Sequence, residues 1–259
     1  MFELFWVGMI FGVGLSAGSF VNALVFRLEH GRSLLGRSQC PQCGQQLSWT
    51  DLIPFISFLL LRGKCRSCKS TISLQYPIVE FATGLLFLLL YIHVISLSFP
   101  QIVVLFGIVT LLAAIFLYDL KHMLIPDVLL YPAIGLALLW RFFESWPLSH
   151  GEWAHLAASA LGAAFFFFLI YALSKGRAMG FGDVKLAFFM GLFLSWPSLL
   201  VALFFAFFSG AFVGITLVGR KKKALRSEIP FGPFLIAGTF FALLWGKDIF
   251  DWYQSMLLV

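Results

Sequence analysis

Apolar stretches recur along almost the whole chain, at 3–26, 78–98, 101–118, 128–146, 154–174, 184–196, 198–219 and 231–250. A helix crossing a bilayer needs about 20 predominantly apolar residues, because in lipid its backbone must satisfy its own hydrogen bonds. No soluble core could absorb so much apolar surface: 61% of residues are apolar and 12% charged. Soluble domains have roughly 45–50% and about 25%. With 32 Phe and a mean hydropathy of +0.95, the chain is predicted to be an all-α polytopic membrane protein of about eight transmembrane helices. Disordered, collagenous and small disulfide-rich classes are excluded. The stretch 184–196 is short, contains Gly191 and precedes Pro197, so it reads as half of a broken helix. The first stretch carries Glu3 and has no Lys or Arg before it, so it reads as a retained helix and not as a cleaved signal.

Charge sets the expected orientation. With the N-terminus outside, every Lys and Arg except Arg141 and Lys247 falls on the inner side, including the run Arg220, Lys221, Lys222, Lys223 and Arg226. Basic residues stay on the cytoplasmic side and attract anionic inner-leaflet lipid. That accounts for the +6 balance without a nucleic-acid partner. The chain is therefore expected to be multi-pass, with its N-terminus outside and its basic loops inside. Only one connection, residues 28–77, is long enough for a cytoplasmic subdomain between the first and second helices.

All four cysteines lie in that loop, as Cys40-Pro41-Gln42-Cys43-Gly44 and Cys65-Arg66-Ser67-Cys68. Two C-x2-C turns supply the four thiolates of a closed tetrahedral zinc site, and Gly44 lets the backbone turn under the metal. The loop faces the reducing side, which favours Zn2+ over disulfides. Four thiolates leave no place for water, so the zinc is expected to be structural, holding the loop at the bilayer surface. Between the pairs, Asp51-Leu52-Ile53-Pro54-Phe55 either docks on the helices or forms a small core for the loop.

Among the acids, Glu3, Glu144, Glu152, Asp248 and Asp251 fall near outer ends and need no special role. Asp119 and Asp183 fall at the inner ends of apolar runs, where an ionisable group is costly and points to function. Capping accounts for Asp127 after Pro126 and in part for Asp183 after Gly180-Phe181-Gly182. It does not account for Asp119, because the dipole at a helix C-terminus disfavours a carboxylate. Lys121 and Lys185 project about 200° away from Asp119 and Asp183 and leave the two carboxylates free to face each other. Such a pair shares a proton and divides acid and base roles across a water, with Gly180 and Gly182 admitting a substrate backbone. No Walker A, H-E-x-x-H or G-x-G-x-x-G occurs, the string Gly14-Leu15-Ser16-Ala17-Gly18 lies within an apolar stretch and not at a strand-to-helix turn, and the five His read as boundary residues.

These residues carry a family resemblance. Ala17-Gly18-Ser19-Phe20-Val21-Asn22, both cysteine pairs, Asp51-Leu52-Ile53-Pro54, Tyr76-Pro77-Ile78-Val79-Glu80, Asp119 through Pro126-Asp127, Gly180-Phe181-Gly182-Asp183-Val184-Lys185 and Pro230-Phe231-Gly232-Pro233 occur in that order. The set resembles the type IV prepilin leader peptidases/N-methyltransferases, membrane aspartic proteases with a G-x-G-D motif. The resemblance implies that Asp119 and Asp183 cut a short basic leader after Gly in prepilin or pseudopilin precursors at the cytoplasmic face. It also implies methylation of the new N-terminal residue by S-adenosylmethionine, with residues 1–98 associated with methylation and 99–259 forming the peptidase domain. Cytoplasmic acids, Glu29, Asp51, Glu80 or Asp127, would meet the leader's basic groups. The competing classes are a proton-coupled transporter using the same aspartates and a non-enzymatic assembly factor.

Overall fold

The computed structural model describes residues 2–34, 36–93, 97–145, 149–219 and 229–257, and these are helical wherever they are regular. The basic run Arg220, Lys221, Lys222, Lys223 and Arg226 lies outside the described residues. In chain order the helices are α1 (Phe2–Glu29), α2 (Ile56–Leu60), α3 (Gln75–His93), α4 (Phe99–His122), α5 (Asp127–Ser145), α6 (His150–Ser174), α7 (Phe181–Leu194), α8 (Ser198–Gly219) and α9 (Gly232–Leu257). A 3₁₀ turn, Trp49–Leu52, precedes α2. The chain falls into two compact units, Met1–Ser98 and Phe99–Val259.

Each of the eight predicted stretches lies largely within a helix. Among the described residues, however, only α1, α3, α4, α6, α8 and α9 are long and apolar enough to cross a membrane. The expected count of about eight spans is not reached on that basis. The shortfall has two physical causes. At about 1.5 Å per residue, the 14 residues of α7 reach roughly 21 Å, short of a hydrocarbon core of about 30 Å. α5 carries Asp127, Arg141 and Glu144 within 19 residues. Arg141 is not left to lipid: its Nε and Nη2 donate to the Leu192 and Phe193 carbonyls of α7 at 2.8 and 2.6 Å, and Nη1 pairs with Glu144 at 2.5 Å. The last turn of the short helix thus finds donors in a neighbouring helix, as broken helices at membrane depth require.

In the first unit α1 and α3 run antiparallel at close range. A Cβ on Gly14 would stand 2.7 Å from Gly84 Cα, and one on Gly18 2.6 Å from Glu80 Cα. One turn further on, Asn22 Nδ2 donates to the Tyr76 carbonyl at 3.1 Å. Small residues at i and i+4 let the backbones approach, and in lipid, where no hydrophobic force drives helices together, that contact is what holds them. In the second unit α6 and α7 meet the same way. A Cβ on Gly191 would stand 2.5 Å from both Ala160 Cα and the Ser159 carbonyl.

Candidate active site and metal centre

Asp119 sits in the last turn of α4, and Asp183 in the first turn of α7. Both are buried, at 4% and 8% exposure. The second unit brings them close enough for the charge on Asp119 to act on Asp183. Asp183 is three residues past the N-cap Gly180, and its Oδ2 accepts the Gly180 N–H at 3.2 Å. This is half of a capping box, since Gly180 has no side chain to answer it. Capping therefore uses one oxygen of Asp183 and leaves the other.

The walls of this site come from residues to which sequence reasoning gave no role. Gly232 opens α9 against Asp119, so that a Cβ there would collide with Asp119 Oδ2 and stand 3.2 Å from Ile125 Cδ1. A Cβ on Gly182 would stand 2.9 Å from Ile125 Cβ. Ile125 is thus wedged between the glycine of α7 and that of α9, with an aspartate beside each. The Pro230–Pro233 motif was the available signal for Gly232. Ile125 lay inside the Asp119–Asp127 segment of the resemblance, which marked the stretch and not the position of this side chain between the helix ends. Gly180 is more open, with nothing nearer than 3.7 Å to an added Cβ.

The remaining predicted site residues are placed differently. Asp127 begins α5 and accepts both contacts of Lys185 Nζ, at 2.6 and 2.8 Å. The ammonium also lies over the Tyr131 and Phe181 rings. Lys185 therefore serves Asp127 and not Asp183, and the Asp127 carboxylate keeps 49% exposure. Glu80 belongs to the first unit and is buried, with Oε2 accepting the Phe55 N–H at 2.7 Å. Asp51 accepts from Ser48 Oγ at 2.6 Å and from Arg66 Nε at 2.8 Å. The Ser48 hydrogen bonds first, and Arg66 after them, hold the Asp51 carboxyl below the usual carboxylate range. The segment 51–55 docks on α3, where the Phe55 and Phe81 rings lie 5.7 Å apart. It does not form a core for the loop, since Leu52 and Trp49 stay exposed.

The four cysteines form a cluster able to hold a metal ion. Their sulfurs all lie within 4.8 Å of one another, and Cys40 Sγ and Cys68 Sγ are 3.9 Å apart. Bonds of about 2.3 Å to a tetrahedral ion put sulfurs roughly 3.8 Å apart, so the donor set fits. The two turns repeat one hydrogen-bonding pattern. Gly44 N–H donates to Cys40 O and Cys40 N–H to Gln45 O, while Lys69 N–H donates to Cys65 O and Cys65 N–H to Ser70 O. Gly44 takes φ +70°, and at the matching position Lys69 takes φ +60° despite its side chain. The second turn thus adopts a left-handed residue without glycine, which its sequence does not announce. The thiol of Cys68 is held down to about 6 by the Ser70 hydroxyl 3.0 Å away.

Residues 12–94 match the bacterial peptidase A24 N-terminal domain, and residues 105–215 match the type IV leader peptidase family. Similar proteins include the prepilin leader peptidase/N-methyltransferase of Bacillus subtilis, 34% identical over 97% of this chain and 99% of the relative. Those of Pseudomonas aeruginosa and Pseudomonas putida are 32% and 30% identical, over 92% and 95% of this chain and 89% and 92% of theirs. No solved structure matches the chain.

Proposed function

The chain belongs to the type IV leader peptidase family, and on that premise we propose that it cleaves the leader from prepilin-like precursors with Asp119 and Asp183. The observation that carries this reading is a pair of buried carboxylates on two helices whose ends meet at Ile125, which contacts the Gly182 position beside Asp183 and the Gly232 position against Asp119. Two such groups do not both ionise readily. The ionised member takes a proton from a water as the water oxygen attacks the scissile carbonyl carbon. The protonated member hydrogen-bonds the carbonyl oxygen, and as the C–N bond breaks the departing amine receives a proton. Asp183 keeps its orientation through the Gly180 N–H. Gly180 and Gly182 leave room for an extended peptide, with Gly180 the more open of the two. Asp127 reaches solvent at the start of α5, and it exchanges Lys185 for a basic group of the leader. The competing transporter reading is not favoured by the comparisons.

The protein is a multi-pass membrane protein. The excess of Lys and Arg on one side supports an N-terminus outside the inner membrane and a cytoplasmic cysteine loop. The metal that suits four thiolates with no open position is Zn2+, in a structural role. By family association the first unit N-methylates the freed amine, with S-adenosylmethionine supplying the methyl group.

The test is cleavage of a prepilin precursor in liposomes by Asp119→Asn and Asp183→Asn, which keep size and remove the carboxylate. Each change alone is expected to abolish cleavage while the protein stays folded. Normal cleavage by either variant would sink the dyad.

A further inference from the structure

The first unit contains an apolar surface that neither the peptidase reading nor the metal centre uses. Trp49 and Leu60 are each 78% exposed, and Leu52, Ile56 and Leu59 are also exposed. These side chains flank the point where the loop is pinned to α3 by the Phe55 N–H bond to Glu80. The depth of that point follows from the helix register. Gly14 faces Gly84, Gly18 faces Glu80 and Asn22 bonds Tyr76, so the pin lies level with Gly18 of α1. The charged end of α1 begins at Arg27, roughly 13 Å further along the axis at about 1.5 Å per residue. The loop therefore folds back from that charged rim toward the middle of the helix pair.

A segment at such depth must satisfy its own backbone, and the stretch after Phe55 turns its N–H groups onto its own carbonyls. Ser57 N–H bonds Ile53 O, Leu59 N–H bonds Phe55 O, and Leu61, Arg62 and Gly63 N–H bond Ser57, Leu59 and Phe58 O. Immediately after the apolar residues come Arg62, Lys64, Arg66 and Lys69. The exposed large side chains of the element are apolar, its one acid, Asp51, is already paired with Arg66 and Ser48, and its edge is basic, which fits an anionic lipid surface. The same basic edge would repel the basic leader of a precursor.

We propose that residues 49–60 form a re-entrant anchor that inserts Trp49, Leu52, Ile56, Leu59 and Leu60 into the leaflet of anionic lipid on the loop's own side of the membrane. The anchor fixes the metal-bearing turns against the headgroups, with Glu80 as its tether. Its partner is the bilayer itself.

The test uses the full-length protein in phosphatidylethanolamine/phosphatidylglycerol vesicles, with the photo-reactive residue p-benzoylphenylalanine replacing Leu60, Leu59, Gln42 or Leu161 in turn. Leu161 lies within the span of α6 and is 60% exposed, so it reports lipid contact. Gln42 lies at the tip of a cysteine turn. The expected result is phospholipid adduct at Leu60 and Leu59 in a yield matching Leu161, and loss of adduct at Gln42. Adduct at Leu161 with none at Leu60 and Leu59 would overturn the anchor and leave the membrane-spanning reading intact. Adduct to an added precursor in place of lipid would overturn it too, in favour of a substrate surface. An independent measurement is the fluorescence lost in Trp49→Phe. That component should be quenched by lipid brominated high in the acyl chain, and quenching by aqueous acrylamide alone would refute insertion.

Discussion

Replacing Gly232 with Ala separates the chemistry of the second unit from its folding. The added Cβ would collide with Asp119 Oδ2 and meet Ile125 Cδ1 at 3.2 Å and Asp119 Cγ at 3.3 Å. Ordinary contact requires the carboxylate oxygen to withdraw by about 1 Å. The displaced atom is the far end of a side chain, so the fold bears little of the cost. Catalysis bears it instead, because a displacement of about 1 Å at a reacting group lowers the rate on the order of 100-fold, or about 2.7 kcal/mol of activation free energy. The expected outcome for Gly232→Ala is a kcat for precursor cleavage reduced about 100-fold, with KM changed little and the thermal unfolding temperature undiminished. Gly180→Ala is the contrast. There an added Cβ meets nothing closer than Asp183 Oδ2 at 3.7 Å, so the dyad keeps its geometry and any loss should appear in KM. A kcat for Gly232→Ala near that of the parent protein would show that Asp119 Oδ2 does not need its observed position, and the proposed mechanism would fail with it.

Charge reversal at Asp127 should raise KM for precursors with basic leaders more than for those with neutral ones. Equal effects on both would remove Asp127 from substrate recognition. Breaking its partly exposed pair in Lys185→Met should cost no more than about 1 kcal/mol of stability, measured by thermal melting. The Cys68 thiol, held down to about 6 by Ser70, is thiolate above that pH. Protons compete with the metal for these thiolates, so bound metal should be released on acidification, and Ser70→Ala, which removes the hydroxyl 3.0 Å from Cys68 Sγ, should move release to higher pH, followed by elemental analysis. Stripping the metal with a chelator should expose the 28–77 loop to protease while leaving cleavage of precursor by the second unit in place; simultaneous loss of cleavage would contradict a purely structural metal. Because the Asp51 carboxyl is held low by Ser48 and Arg66, its contribution to loop stability is present above the ordinary carboxylate range and lost as the pH falls through its lowered value. Asp51→Asn should flatten that acid limb in a pH series of limited proteolysis.

Much of this protein was legible in its sequence because lipid imposes period-independent rules. Long apolar runs must be helices, and an ionisable group closing such a run, as Asp119 does, is costly to place. The cysteine spacing was equally direct, since each C-x2-C turn is a local structure that folds from its own few residues. Other features depended on which helices meet. Asp127 and Lys185 are 58 residues apart in the chain, and only packing of α5 against α7 makes them a pair. Glu80 looked like a free acid until α3 carried it under the Phe55 amide. Arg141 read as an outlier to the charge rule, yet it donates to carbonyls of the half-helix α7. The span count differed for the same reason, because length and apolarity are properties of a segment, whereas the tolerance of a short or charged helix is a property of its neighbours. Ile125 and Gly232 lay within motifs of the resemblance, yet nothing in those motifs gave their steric role. Their role beside the aspartates exists only where the ends of α4, α7 and α9 converge, and steric exclusion at that convergence leaves no periodicity or spacing in the chain.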